Sequence, residues 1–156
     1  MKKLITICFL IATTLTVKAQ NFQTTENEVN RLLGANKITV FCHGMEHNDI
    51  NRFKIEELGR IIYHNSSEEL PEYPVTMFHL VEIYGYSIND NSVVFYDDYE
   101  EEYLKLTGLD KNEGKQLVKL LEKLDKICND NLNEFKKDFK QFDGLDDITT
   151  DKWKKI

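Results

Sequence analysis

The stretch from Asp110 to Phe142 decides the fold, and its sequence is DKNEGKQLVKLLEKLDKICNDNLNEFKKDFKQF. Its apolar residues recur at steps of three and four, which is the period of one face of an α-helix. They are Leu117, Leu121, Leu124, Cys128, Leu132, Phe135, Phe139 and Phe142. Asp110 and Glu113 have the spacing of a capping box, and Gly144 is typical of the residue after a helix end. The pattern predicts one long C-terminal helix of about 45 Å at 1.5 Å per residue.

The apolar face of this helix needs a cover, and the earlier part of the chain supplies strand-like segments. Lys37–Cys42 is rich in β-branched and aromatic residues, which favours a strand. Val75–Ile88 is the longest such segment, and the turn residues 89–91 separate it from a partner at Ser92–Tyr96. The sequence therefore predicts an α+β fold, with a small, mainly antiparallel sheet packed against the long C-terminal helix.

Three further segments are predicted to be helical. Thr25–Leu33 has a capping box of Thr25 and Glu28, and Tyr99–Leu106 follows a capping Asp97 or Asp98 and precedes Gly108. His43–Tyr63 fits one side of a helix. A hairpin that turns at Gly59 is the alternative for this last segment, since residues 53–56 alternate between apolar and polar.

The first 19 residues have the pattern of a cleaved signal peptide. Lys2 and Lys3 precede the apolar run Leu4–Val17, which is short for a membrane span, and Val17-Lys18-Ala19 suits a signal peptidase. We expect cleavage after Ala19 and a periplasmic or secreted protein. Residues 20–156 then form a single domain, in which the polar residues 145–156 are predicted to be a loosely ordered tail.

The charge of the chain narrows the class of partner. Loss of the three leader lysines would change the net charge from −7 to −10. Nucleic acid and anionic lipid bind through neutralisation of phosphates by Lys and Arg, so this charge argues against both. It favours a protein partner with a basic surface, which the long-range field would attract.

An acidic run interleaved with tyrosines follows the predicted strand at Ser92–Tyr96. It consists of Asp97, Asp98, Tyr99, Glu100, Glu101, Glu102 and Tyr103. Tyrosine is favoured at binding hot spots, and the carboxylates would steer a basic partner. The alternative is the N-terminus of a helix, where acids complement the dipole. The run is our candidate partner-binding surface.

The residues His43, Glu46 and His47 match H-x-x-E-H, the inverted zincin pattern. Two imidazoles on one helix face would hold zinc there, and the glutamate would act as general base toward a metal-bound water. The preceding strand and Gly44 argue against a helix at this point. A weaker alternative keeps only a metal site with His43 and His47 as ligands. Zinc is therefore the only cofactor that the sequence indicates, and if this site is absent we expect no cofactor.

Two cysteines remain after the leader, Cys42 and Cys128. In an oxidising compartment such a pair is commonly bridged. Both lie on apolar faces of their predicted elements, so two buried free thiols are an equal alternative.

The leading hypothesis is an exported, non-catalytic binding protein, such as an inhibitor or immunity-type protein that neutralises a cationic enzyme or toxin. Its motivation is the mature charge and the acidic, tyrosine-rich run. A small metal-dependent hydrolase that uses His43, Glu46 and His47 is the alternative. A binder of small ligands, with a pocket between sheet and helix, is a third option without a named residue.

Overall fold

The computed structural model describes residues 20–42, 44–65, 77–138 and 152–156. This part of the chain contains two α-helices and eight strands. The helices are α1 (20–34) and α2 (Lys111–Asp138). The strands are β1 (Ile38–Cys42), β2 (Met45–Ile55), β3 (Arg60–Asn65), β4 (Met77–His79), β5 (Gly85–Ile88), β6 (Ser92–Tyr96), β7 (Glu102–Thr107) and β8 (Lys154–Lys155). None of the described helices is both long and apolar enough to cross a lipid bilayer.

All eight strands belong to one sheet in the order β4-β3-β2-β1-β7-β6-β5-β8. Neighbouring strands run antiparallel except for β5 and β8, which are parallel. The first four strands form a meander, β5 to β7 form a second one, and pairing of β1 with β7 joins them. The predicted α+β fold, with a mainly antiparallel sheet and a long C-terminal helix, is confirmed.

A single hydrophobic core connects both meanders and both helices. Its members from α2 include Leu117, Leu121, Leu124 and Cys128, all on the predicted apolar face. The predicted capping box is present as well: the Asp110 carboxylate accepts the Glu113 N–H (2.9 Å), and the Glu113 carboxylate accepts the Asp110 N–H (2.9 Å). The last predicted residues of this helix, Phe139 and Phe142, lie outside the described residues.

The beginning of α1 differs from the prediction. Residue 20 is already helical, and the Thr25 hydroxyl donates to the carbonyl of Asn21 at 2.7 Å, one turn earlier. A threonine inside a helix can bond this way, so its side chain does not cap. The predicted capping box of Thr25 and Glu28 is therefore wrong, whereas the buried face of Val29, Leu32 and Leu33 follows the predicted period.

The helix predicted over His43–Tyr63 is wrong, because β2 and β3 form a hairpin there that turns at Gly59 (φ 89°). A register shift between Ile50 and Arg52 explains the error. The bulge places an extra residue in β2, so its buried positions are Ile50, Phe53 and Ile55. These steps of three and two resemble the spacing of a helix face more than a regular strand.

Helix α1 completes the hydrogen bonding of β2 after Ile50, where β2 extends past Ile38, the first residue of its partner β1. The amide group of Asn30 accepts the Phe53 N–H (2.7 Å) and donates to the Phe53 carbonyl (2.9 Å). The Glu26 carboxylate accepts the Ile55 N–H at 3.0 Å. Two polar side chains of α1 therefore take the place of a neighbouring strand.

The segment predicted as one long strand, Val75–Ile88, is divided by a 3-10 turn at Leu80–Glu82 into β4 and β5. The predicted hairpin between β5 and β6 is confirmed, with the Asn89 N–H donating to the Ser92 carbonyl at 2.9 Å. The helix predicted over Tyr99–Leu106 is wrong, since residues 99–101 belong to a turn and β7 begins at Glu102. Gly108 (φ 99°) follows the last residue of β7. A Cβ at this position would lie 2.2 Å from the carbonyl oxygen of Lys37, so only glycine fits.

Candidate functional site

The acidic run forms a tight turn between β6 and β7 and continues into Glu102, the first residue of β7. We call residues 97–102 the acidic loop. One carboxylate oxygen of Asp97 accepts the N–H groups of Tyr99 (3.0 Å) and Glu101 (2.9 Å). The Asp97 N–H also donates to the Glu101 carbonyl (3.0 Å), and the Asp97 carbonyl accepts the Glu100 N–H (3.1 Å). Glu100 has φ 61°, a left-handed conformation that non-glycine residues rarely adopt. The turn is thus closed by Asp97.

The remaining side chains of the acidic loop point to solvent. Tyr99 is 80% exposed, and four acids, Asp98, Glu100, Glu101 and Glu102, are exposed as well. None of these acids forms an ion pair with a basic side chain of the described ranges. Because Asp97 is used to close the turn, the surface that a partner would meet is an aromatic ring flanked by four carboxylates.

Tyr103, predicted to belong to the same surface, is instead half-buried. Its hydroxyl donates to the Glu82 carboxylate and accepts the His79 N–H at 3.2 Å. Burial raises the pKa of Tyr103, and its hydrogen bond to Glu82 raises this pKa further. The Tyr103 side chain therefore joins β7 to β4 and to the 3-10 turn that follows.

Of the H-x-x-E-H residues, Glu46 and His47 lie on strand β2 and not on a helix. His43 is outside the described residues, and Glu46 and His47 are neighbours on β2, so their side chains leave opposite faces of the sheet. Glu46 accepts a hydrogen bond from Asn48 (3.1 Å), while the His47 ring lies edge-on to Tyr63 with centroids 5.4 Å apart. Within residues 20–42, 44–65, 77–138 and 152–156, no group of three His, Cys, Asp or Glu side chains is placed to hold a metal.

Cys42 and Cys128 are both buried, each with 2% of its surface exposed. The Cys128 thiol donates to the carbonyl of Glu56 (3.8 Å) at the β2–β3 turn. Burial raises the pKa of Cys128 to about 12, so the thiolate is scarce at neutral pH. In this structure the sulfur atoms of Cys42 and Cys128 are not bridged to each other, and a bridge between them stays a prediction.

A second polar site, which the sequence analysis missed, joins α2 to the end of the chain. Residues 152–156, here named the C-terminal segment, lie between α2 and β5. One Asp125 oxygen accepts the Trp153 indole N–H (3.1 Å), and the other lies 4.0 Å from the Lys152 ammonium. The ammonium also donates to the Val81 carbonyl (2.5 Å) and lies 5.4 Å from the centre of the Tyr84 ring.

The charges of this second site are shielded from water. The side chains of Lys152 and Asp125 are 5% and 6% exposed. Burial raises the pKa of Asp125 and lowers the pKa of Lys152, and in each case the partner's charge partly opposes the shift. Each ion therefore loses hydration that the attraction only partly restores, so the pair adds little net stability.

The rest of the C-terminal segment adds a strand to the sheet. The N–H groups of Lys154 and Ile156 donate to the carbonyls of Tyr84 (3.0 Å) and Tyr86 (2.9 Å). Residues 145–151 of the predicted loose tail lie outside the described residues, whereas residues 152–156 are packed in place. A cavity of about 580 Å³ lies beside Trp153, lined on its other side by the lysines and acids of α2.

Two signals in the sequence could have revealed this second site. Asp125 follows Leu124 and falls next to the apolar stripe of α2, where a carboxylate needs a partner. Trp153 is the one tryptophan of the chain and stands in an otherwise polar tail. Together they indicate that the tail returns to the helix.

Comparison with known proteins adds two structural likenesses. No family model matches the chain, and no curated protein sequence matches it significantly. Among solved structures, the PH domain from PfAPH is 12% identical with a TM-score of 0.47, and the match covers 66% of this chain and 90% of that one. The PH domain from TgAPH is 9% identical with a TM-score of 0.46, covering 69% of this chain and 93% of that one.

Proposed function

We propose that this chain is an exported binding protein, of inhibitor or immunity type, that captures a cationic enzyme or toxin through its acidic loop. The observation that supports this most is Tyr99, which is 80% exposed on a turn closed by Asp97. Because the backbone of the turn is already closed, little backbone entropy would be lost when the exposed ring of Tyr99 binds a partner, and tyrosine is common among interface anchors. The proposed site of action is the periplasm or the extracellular space.

The charges around Tyr99 have a separate role in this proposal. The acids Asp98, Glu100, Glu101 and Glu102 have no ion-pair partner among the described basic residues. A basic partner can therefore approach them without displacing an existing pair. Their field would speed association at low ionic strength, whereas the Tyr99 contact would slow dissociation.

Affinity capture from the native envelope fraction tests the proposal. The bait is the mature chain, compared with a variant in which Glu100, Glu101 and Glu102 are all changed to Lys. We expect a basic protein to be retained by the wild type at low salt and lost with the variant.

A charge-matched control distinguishes the effect of the acidic loop on capture from the effect of net charge. Glu28, Glu57 and Asp90 are exposed acids in α1, the β2–β3 turn and the β5–β6 turn, and their change to Lys alters the net charge equally. Capture should survive in this control. Equal loss in both variants, or capture unaffected by reversal of the acidic loop, would contradict the proposal.

A further inference from the structure

The C-terminal segment contacts its surroundings as a bound peptide would. Its Lys152 ammonium meets a carboxylate, a carbonyl and an aromatic face, contributed by Asp125, Val81 and Tyr84. Carboxylates, carbonyls and aromatic faces all favour an ammonium group. This arrangement is therefore a subsite for a cation.

Two more side chains of the segment have subsites of their own. The Trp153 indole donates to Asp125 and packs edge-on against the buried Phe95, with ring centroids 6.0 Å apart. Ile156 lies over Gly85, where a Cβ would come within 2.6 Å of its side chain. Only glycine at position 85 leaves room for an apolar group there.

The backbone of the segment uses strand addition, which accepts many sequences. Its two N–H donors go to the carbonyls of Tyr84 and Tyr86, at the edge of β5. An edge strand with free carbonyls is a general acceptor for an extended peptide, and side-chain pockets then supply specificity. We call the surface between α2 and β5 the β5 groove. It accepts a cation, an indole and an apolar side chain in this order, and it pairs with the backbone of the bound segment as a strand.

The hold on the C-terminal segment is modest. Strand β8 has two residues, Lys154 and Lys155, both exposed, and Ile156 is 53% exposed. The Lys152–Asp125 pair adds little, since both charges are desolvated. A competing peptide with the same pattern could therefore replace the segment.

The β5 groove and the acidic loop lie at the same end of the sheet. Tyr84 donates its N–H to the carbonyl of Tyr96 (2.8 Å), the residue before the acidic loop, and accepts the Lys154 N–H (3.0 Å). Lys154 is thus two strand spacings from Tyr96, or about 10 Å. A basic chain bound at one site would reach the other.

We propose that the β5 groove is a peptide-binding site, filled in this structure by the chain's own C-terminal segment, and that an extended partner segment with a cation followed by tryptophan displaces it. This inference rests on the proposed function, because the basic partner captured by the acidic loop would supply that segment.

A labelled peptide supplied in trans tests the inference. The probe is fluorescein-Lys-Trp-Lys-Lys-Ile, and its binding to the mature wild-type chain and to the Trp153→Ala variant is measured by fluorescence anisotropy. The variant should bind at least tenfold more tightly, because its own segment competes less. A probe with Ala in place of Trp has the same charge and should bind the variant at least tenfold more weakly. Equal affinity of both proteins for the probe, or of the variant for both probes, would overturn the inference.

A second measurement does not depend on a variant. The indole N–H of Trp153 gives a single cross-peak in the ¹⁵N-labelled wild-type chain, since the chain has one tryptophan. Unlabelled Lys-Trp-Lys-Lys-Ile should move this peak toward the position of a free indole. A peak that stays in place up to millimolar peptide would contradict displacement.

The outcomes for the two proposals are distinguishable. Reversal of Glu100, Glu101 and Glu102 weakens any basic probe but should leave the affinity ratio between the Trp153→Ala variant and the wild type unchanged. Peptide displacement without loop-dependent capture would support the β5 groove alone. Loop-dependent capture without displacement would support the acidic loop alone.

Discussion

Replacement of Asp97 by Ala should loosen the acidic loop, and replacement of the neighbouring Asp98 should not. Asp97 accepts two backbone N–H groups, at 3.0 and 2.9 Å, in the manner of a helix N-cap. Loss of such a cap costs about 1 kcal/mol. For a domain of this size we expect the melting temperature to fall by about 3 to 5 °C. The exposed Asp98 makes no such bond among the described contacts, and its loss should change stability by less than about 0.5 kcal/mol.

The same pair of variants separates loop geometry from charge in partner binding. Each removes one carboxylate, so the long-range field changes equally. Ordering a loosened loop would cost about 1 kcal/mol on binding, which is about a fivefold loss of affinity. Urea titration gives the free energy of unfolding, and surface plasmon resonance with the captured partner gives the affinity. Indistinguishable stability and affinity for Asp97→Ala and Asp98→Ala would refute the role of Asp97 in shaping this surface.

Three further predictions concern the buried polar groups. Asn30→Ala leaves both backbone groups of Phe53 without a partner, so urea titration should show a loss of about 2 to 4 kcal/mol; Asn27→Ala, on an exposed turn of the same helix, should change stability by less than about 0.5 kcal/mol. Burial lowers the pKa of His79 below 6.5, so this residue binds a proton more readily in the unfolded chain than in the folded chain. The free energy of unfolding should therefore fall as pH drops from 6.5 toward the folded pKa. In His79→Gln this part of the pH dependence should vanish, and an unchanged slope of unfolding free energy against pH would contradict the prediction. Cys128 should resist iodoacetamide at pH 8 in the native chain and react after unfolding, as mass spectrometry would show, whereas rapid native labelling would contradict its burial.

The sequence was sufficient to predict elements whose periodicity is undisturbed. The face of α2 and its capping box depend on local spacing, and so does the hairpin at 89–91. In contrast, β2 contains a bulge between Ile50 and Arg52, which changes the spacing of its buried residues from two to three. The local sequence does not predict such a bulge, because the bulge depends on where β2 stops pairing with β1 and begins to bond to α1.

The acidic loop is a second place where the local sequence does not determine the structure. Asp97 has the composition signal of a helix cap, and its carboxylate does accept backbone N–H groups, but those groups close a β-turn. Caps and such turns use the same local bonds, so the sequence alone does not separate them. The second site depends on Lys152 and Asp125, which are far apart in the chain and come together only through the return of the C terminus.

Because β1 pairs with β7, folding of the sheet cannot be completed until the residues of β7 are present. Thr39 lies opposite Thr107 and Cys42 opposite Leu104, so β1 has an unpaired edge until most of the chain has been synthesised. Contacts of such long sequence separation form slowly. A fragment that stops before β7 would present that edge to other chains, and we expect such a fragment to aggregate. Chaperones that shield extended segments should therefore matter more for this protein than its modest size suggests.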